Sequence, residues 1–469
     1  MTLYRKILLA LLLSFFTIGG SGCFSSSSSS SDDDGNGNGD DNGEAEVTAQ
    51  LRAYHASPDA GEVDIFVGEE RVAEGVSFPA ASAYLEVPAS ALTVSIVAAG
   101  GDLEDAVLSA EVSLSEDGQY TLIVWGSVES ENLDTALVDD SNEGVSDGFV
   151  KVRPAHLAVG APNVDLYVTG LDDALDEAEP VAENLAFGDI ADAYIEAPAE
   201  VSRLRVTAAG DSETVIYDYV ADFPQFEGAS LLAGALNADA GFSPILIGAA
   251  TGSDSLPFLP LIDQQSELRA VHGSPDAGDV TVEVQRAGED NNWMTLVTGL
   301  SYREDTGYAR ILGDFEYEAR VVLEGSGTAV PLENIEPQPG NAYSVFALGS
   351  VDDGTVAFLV EADRVGPAEE GESALRAVHG IAGGPTVDVE ADGAAVIEAL
   401  EELTASSFLD VAAGEYSVEV VTSDGGDNVI GPADLALGEG NVYTVVALPV
   451  DESGTEEANL LIILDRSPE

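Results

Sequence analysis

The chain has 469 residues, 45% of them hydrophobic, and carries 86 acidic against 16 basic side chains for a formal net charge of −70 at pH 7. That balance fits a folded protein of several domains with a solvated acidic surface, and it excludes nucleic acid and anionic lipid headgroups as partners, because such a surface repels their phosphates. Cys23 is the sole cysteine, which excludes an internal disulfide and a multi-thiolate metal site.

At the start of the chain, Arg5 and Lys6 precede an apolar run from Ile7 to Ile18 that is too short to span a bilayer as a mature helix. Gly20, Ser21 and Gly22 then lead to Cys23. The pattern predicts an export signal over residues 1–22. Its end resembles the lipobox of bacterial lipoproteins, with Gly20 where that family usually carries leucine. The resemblance implies that Cys23 becomes an acylated, palmitate-bearing N-terminus that anchors the chain to a membrane. Phe24, in place of the aspartate that tends to retain such proteins at the inner membrane, implies the outer membrane, with the body facing the periplasm or the cell surface.

Residues 23–46 are rich in Ser, Asp, Gly and Asn and have no apolar period, so they predict a disordered acidic tether. A coil of that composition reaches roughly 25–30 Å, and further under Asp–Asp repulsion. Asp32, Asp34, Asn36 and Gly37 imitate the start of a calcium loop. Gly43 holds the twelfth position, where such a loop needs a bidentate glutamate, so no metal site is expected there.

One phrase then recurs: LRAYHASPDAGEVDIFV from Leu51, VRPAHLAVGAPNVDLYV from Val152, LRAVHGSPDAGDVTVEV from Leu268 and LRAVHGIAGGPTVDVEA from Leu375. The only four histidines of the chain, His55, His156, His272 and His379, sit at the same place in each copy, three residues after Arg52, Arg153, Arg269 and Arg376. A spacing near one hundred residues predicts a domain array, because solenoid and propeller repeats are shorter, about 20–50 residues. The repeats are placed at 47–144, 148–252, 264–366 and 371–469. In the first, short alternating runs such as VDIFV, AYLEVPA, LTVSIVAA and YTLIVWG are separated by turn clusters such as PDAGE and AAGGD. They predict seven or eight strands, and hence an Ig-like β-sandwich.

Late in three copies a tyrosine follows glycine at the entry of an apolar strand: Tyr120, Tyr343 and Tyr443. These look like the tyrosine corner of sandwich domains, whose hydroxyl bonds back to the backbone. Ser230 takes that place in the second copy, which predicts a different corner there. The opening phrase, the mid-domain strand pairs and the Gly-x-Tyr strand resemble the bacterial secreted domains catalogued as domain-of-unknown-function family 4397. That resemblance implies tandem Ig-like sandwiches in lipoproteins or surface proteins, and it brings no catalytic residues.

On a strand, Leu51, Ala53 and His55 share one face. The histidine is expected at the rim of the core, bonded to a backbone carbonyl or to a turn residue such as Asp59, whose carboxylate would cap the Ser-Pro-Asp-Ala-Gly turn. Ser57 and Asp59 lack counterparts in the second and fourth copies, so no shared reaction is expected. Asp64, Asp165 and Asp388 recur nine residues after their histidines, with Thr281 in the third copy. One histidine per domain supplies too few ligands for a metal unless carboxylates complete the site. Trp125, Tyr167 and Trp293 are the candidates for an exposed aromatic binding patch. The expectation is an all-β tandem array of four sandwiches acting as a non-enzymatic scaffold, adhesion or binding module, with no catalytic residue, cofactor or metal. An envelope polysaccharide- or divalent-cation-binding protein is the alternative, and a hydrolytic enzyme comes third.

Overall fold

The computed structural model of the protein describes residues 47–140, 145–222, 230–237, 245–251, 258–332, 334–449 and 460–468. The predicted signal, the tether and Cys23 lie outside these residues. Residues 47–469 form one compact unit.

Among the described residues, short β-branched runs broken by Gly, Asp and Pro turns leave strands as the regular elements, apart from two three-residue 3₁₀ turns. In the first repeat these are β1 (Thr48–Ala56), β2 (Val63–Val67), β3 (Glu70–Val76), β4 (Ala80–Ala81), β5 (Leu85–Pro88), β6 (Ala91–Ala98), β7 (Leu108–Ser113), β8 (Gln119–Trp125) and β9 (Asp134–Asp139). One sheet runs β4-β1-β8-β9, with β5 also on β1, and the facing sheet runs β3-β2-β6-β7. β4 and β5 are two halves of one edge strand, pairing Tyr54 with Ala81 and Leu51 with Leu85. β1 lies parallel to β8, Leu51 opposite Tyr120 and His55 opposite Val124, although the two strands are far apart in sequence.

The same plan repeats. The parallel pair is Phe149–His156 with Ser230–Asn237 in the second repeat, Gln265–Gly273 with Ala342–Leu348 in the third, and Glu372–His379 with Val442–Ala447 in the fourth. The second repeat adds Phe258–Leu261 at the edge beyond Ile245–Thr251.

Alternation on β1 feeds two different cores. Ala49, Leu51 and Ala53 point inward, against Val63, Ile65, Ile96 and Leu122. Tyr54 and Ala56 point out of the sandwich, yet they too are buried, with Ile123, Ala155, Leu157 and Leu232, in a cluster shared with the second repeat. The third and fourth repeats share an equivalent cluster of Val271, Phe346, Leu348, Val378, Val446 and Leu448. The outward face of each β1-type sheet is therefore apolar because it is covered by the neighbouring repeat. Burying one such large side chain contributes about 1.5–3 kcal/mol.

Two glycines set how closely the third and fourth repeats approach. A Cβ on Gly273 would lie 2.7 Å from Leu348 Cδ2 and 2.8 Å from Leu448 Cδ2. A Cβ on Gly380 would lie 2.9 Å from Leu348 Cδ2 and 3.1 Å from Leu448 Cδ2. Both leucines thus occupy the space that a side chain at either glycine would fill.

Candidate functional site

The repeated histidines end the β1-type strands, where the chain turns back over the open end of the sandwich. Each is no more than 1% exposed. Their Nε2 atoms meet the carbonyls of Gly61 (2.7 Å), Pro162 (2.9 Å), Gly278 (2.8 Å) and Pro385 (2.9 Å). On the other side of the ring, the backbone N–H of Ser57 donates to His55 Nδ1 and that of Ser274 to His272 Nδ1, each at 3.3 Å, and Ile381 N–H donates to His379 Nδ1 at 3.5 Å. An Nδ1 that accepts leaves the ring proton to Nε2, the arrangement in which Nε2 donates to the facing carbonyl. His156 Nδ1 has no hydrogen-bond partner among the described residues. Burial holds His55, His156 and His272 below the ordinary imidazole value, more than their carbonyl contacts raise them.

Arg52 and its equivalents face the other way, into the contact between repeats. Arg52 Nε donates to Thr121 Oγ1 at 2.7 Å, Thr121 in turn bonds Asp140, and the guanidinium lies 4.7 Å over the Tyr84 ring. The third repeat rebuilds this with Ser344 and Asp363: Arg269 Nη2 reaches Ser344 Oγ at 2.7 Å, Ser344 Oγ donates to Asp363 at 2.6 Å, and Tyr308 covers the cation at 4.7 Å. The fourth uses Thr444 and Asp465, with Phe408 as the cover at 4.6 Å. In the second repeat Leu232 stands opposite Arg153, so the hydroxyl is missing. Arg153 bonds the carbonyls of Ala191 (2.6 Å), Asp192 (2.6 Å) and Asp139 (2.9 Å) instead. Sequence reasoning singled out the arginines but not these partners; their signal is a hydroxyl followed by an aspartate 19 residues later in the first and third repeats and 21 in the fourth.

The recurrent aspartates hold a β-bulge. Asp64 accepts from the N–H of Gly75 at 2.8 Å and of Gly100 at 2.9 Å. Asp165 does the same for Asn184 (2.6 Å) and Gly210 (2.8 Å), and Asp388 for Ala399 (2.7 Å) and Ser423 Oγ (2.6 Å). Gly75, Asn184 and Ala399 each carry a left-handed backbone, φ 59°, 51° and 53°, and their N–H groups are available because the bulge takes them out of the ladder. Thr281 is too short for this task. Glu324 reaches across from beyond the neighbouring strand and accepts from Gly299 N–H at 2.8 Å, while Thr281 Oγ1 bonds the same carboxylate oxygen at 3.2 Å.

Asp59 accepts from Ser57 Oγ (3.4 Å) within its own turn and also caps a second loop. It accepts from Ser127 Oγ (2.7 Å) and from the N–H groups of Val128 and Glu129 (2.9 Å each). Asp276 does the same for Ser350, Val351 and Asp352, and although burial works to raise its carboxyl, these donors bring it down to about 2. The three tyrosine hydroxyls each accept a backbone N–H five residues upstream: Ser115 to Tyr120 (3.1 Å), Gln338 to Tyr343 (3.2 Å) and Gly438 to Tyr443 (3.0 Å).

The candidate aromatics do not form one patch. Trp125 packs edge-on to Phe187 of the second repeat, ring centroids 5.1 Å apart, Tyr167 is buried, and Trp293 lies beneath the Arg320 guanidinium at 3.9 Å. Among the described residues no group of three or more His, Cys, Asp and Glu is placed to hold a metal ion.

A family model described as Domain of unknown function (DUF4397) matches residues 49–167, 266–383 and 373–469, leaving most of the second repeat outside the match. No curated protein matches the chain. Among solved structures it is similar to a "putative cell adhesion protein" from Bacteroides ovatus, at 10% identity over 46% of this chain and 98% of that one, with a TM-score of 0.19. A second "putative cell adhesion protein", from Bacteroides eggerthii, is 11% identical over 48% and 98% of the two chains, with a TM-score of 0.20. The Bacillus anthracis TIE protein is 10% identical over 65% of this chain and 50% of that one, with a TM-score of 0.14. Likenesses at such scores carry no argument about function.

Proposed function

The chain belongs to the DUF4397 domain family, and we propose that it is a non-enzymatic envelope protein, a scaffold, adhesion or binding module carried on a lipid anchor. The observation that carries this reading is the use to which the repeated polar residues are put. The four imidazoles, the arginines beside them and the recurrent aspartates all bond backbone groups or other side chains of the fold. A general base needs a nitrogen free to face a substrate, and His55, His272 and His379 have both of theirs committed. The repeated phrase therefore builds the domain, and binding is left to surfaces that differ between repeats.

The anchor rests on Cys23 and the signal before it. Cys23→Ser should move the protein from the membrane to the soluble fraction; persistence on membranes at high salt would refute the anchor. A screen of the detergent-solubilised chain against glycan arrays, Ca²⁺ and Zn²⁺, run beside generic ester and phosphodiester substrates, tests the rest. Turnover that disappears in His272→Ala would overturn the non-enzymatic reading. The alternative, an envelope polysaccharide- or divalent-cation-binding protein, draws on the excess of 86 acidic over 16 basic side chains. It predicts saturable Ca²⁺ binding that survives 0.15 M salt, where weak screening-type association is reduced.

A further inference from the structure

The third and fourth repeats exchange charges across their contact. Arg269 Nη1 lies 2.8 Å from Asp465 of the fourth repeat, and Arg376 Nη2 lies 2.6 Å from Asp363 of the third. All four side chains are at most 1% exposed. The exchange is reciprocal, as at the interface of a two-fold dimer, where each surface contacts its own equivalent. Gly273 and Gly380 occupy equivalent positions at the centre of this arrangement, against Leu348 and Leu448. Between the first and second repeats Arg153 makes a different contact: it faces Leu232 where the other repeats carry a hydroxyl, and its Nη1 donates to the Asp139 carbonyl at 2.9 Å.

We propose that the third and fourth repeats form one cooperative body, a fused pseudo-symmetric pair latched by the swapped Arg269–Asp465 and Arg376–Asp363 contacts, and that neither repeat opens without the other. The physical reason is that each repeat supplies half of two buried ion pairs and half of one apolar cluster. Opening one repeat strips the other of its nearer counter-ion: Arg269 would keep only Asp363, 3.9 Å away, in place of Asp465 at 2.8 Å, and breaking a buried pair is far more costly than never forming it. It also exposes Val271, Phe346 and Leu348 or Val378, Val446 and Leu448 to water. Such mutual dependence is what merges two domains into one unit of local unfolding.

Native-state hydrogen exchange on the full chain tests this, read by mass spectrometry over peptides covering 269–273 and 376–379 in increasing urea. Both peptides should exchange through one opening, with the same urea dependence. Leu435→Ala, in the separate core of the fourth repeat, should accelerate both by the same factor, about 30-fold or more for a buried Leu→Ala change, and Leu300→Ala should do the same from the separate core of the third repeat. Peptides in β1 should stay at their original rate. If each variant accelerates only the peptide of its own repeat, or the two peptides show different urea slopes in the unaltered chain, the repeats open independently and the latch is refuted.

Discussion

Arg376 and Asp363 belong to different repeats, yet their side chains meet at 2.6 Å in a site closed to solvent. Asp363 is the hub of the contact, since Ser344 Oγ (2.6 Å) and Tyr308 OH (2.8 Å) also donate to it. Its removal strands a buried cation and two hydroxyls. Asp363→Ala should cost about 3–5 kcal/mol, whereas Asp363→Leu combined with Arg376→Met should recover much of that loss, because both charges are then gone. Urea midpoints of the full chain check both; a loss below about 1 kcal/mol for the single change would mean that the buried charge is relieved by water.

His272 donates to the Gly278 carbonyl and accepts from Ser274 N–H, so His272→Ala removes two hydrogen bonds and some packing. The expected loss is about 1–3 kcal/mol, with no change in zinc or calcium titrations. An unchanged midpoint together with lost metal binding would make the histidines ligands.

The same residues set a pH dependence. Burial depresses His55, His156 and His272 below the value of an unfolded chain, near 6.5. The unfolded state therefore binds more protons just below that pH. Stability present above about 6.5 is lost as the pH falls, at up to about 1.4 kcal/mol per pH unit for each histidine. The carboxyls of half-buried Asp263 and Glu361 and of buried Asp465 are raised by desolvation and act in the opposite sense, so the comparison must be between variants. His272→Gln should flatten the fall in urea midpoint between pH 7.5 and 5.5; an identical slope in variant and parent would show that His272 does not titrate on unfolding.

The tyrosine hydroxyls are not equivalent. Tyr443 OH accepts from Gly438 N–H at 3.0 Å and from Asn441 Nδ2 at 2.8 Å, while Tyr343 OH serves only the exposed N–H of Gln338. Tyr443→Phe should therefore cost more than Tyr343→Phe, about 1–2 kcal/mol against a few tenths, since water can replace an acceptor at an exposed site. Thermal scans that rank the two in reverse would contradict this.

Without residues 1–22 the chain keeps fourteen of its sixteen bases against all 86 acids, a formal net of −72. Many of the arginines are engaged where repeats meet: Arg286 with Asp172, Arg303 with the Leu460 carbonyl, Arg364 with Asp410 and Arg466 with Glu267, besides the swapped pairs. The outer surface is left to repel itself. Melting temperature should rise from 0.05 to 1 M NaCl, because screening shortens surface repulsion while the buried pairs are screened much less. A flat or falling curve would refute it.

Much of this was legible because the chain writes it several times. Four histidines in one register, with an arginine three residues before each, marked the β1-type strand, and the alternation of Leu51, Ala53 and His55 gave its inward face. The role of Asp64, Asp165 and Asp388 was hidden, since a bulge is a feature of strand pairing and leaves no local signature. Glu324 standing in for the missing aspartate was hidden for the same reason. Asp140, Asp363 and Asp465 disappear among the 86 acidic residues. The exchange between repeats depends on which faces pack together, and the pattern of one repeat does not contain that.

The parallel pairing of β1 with β8 also governs time. Gln50 lies opposite Gln119, so the first strand of a repeat finds its central partner only after some seventy further residues have emerged. A repeat built this way has no early, local route to closure, and topologies dominated by distant pairings fold slowly. A chain leaving its site of synthesis would remain threadable for as long as β8 is unmade, and would then commit each sandwich in a single late step.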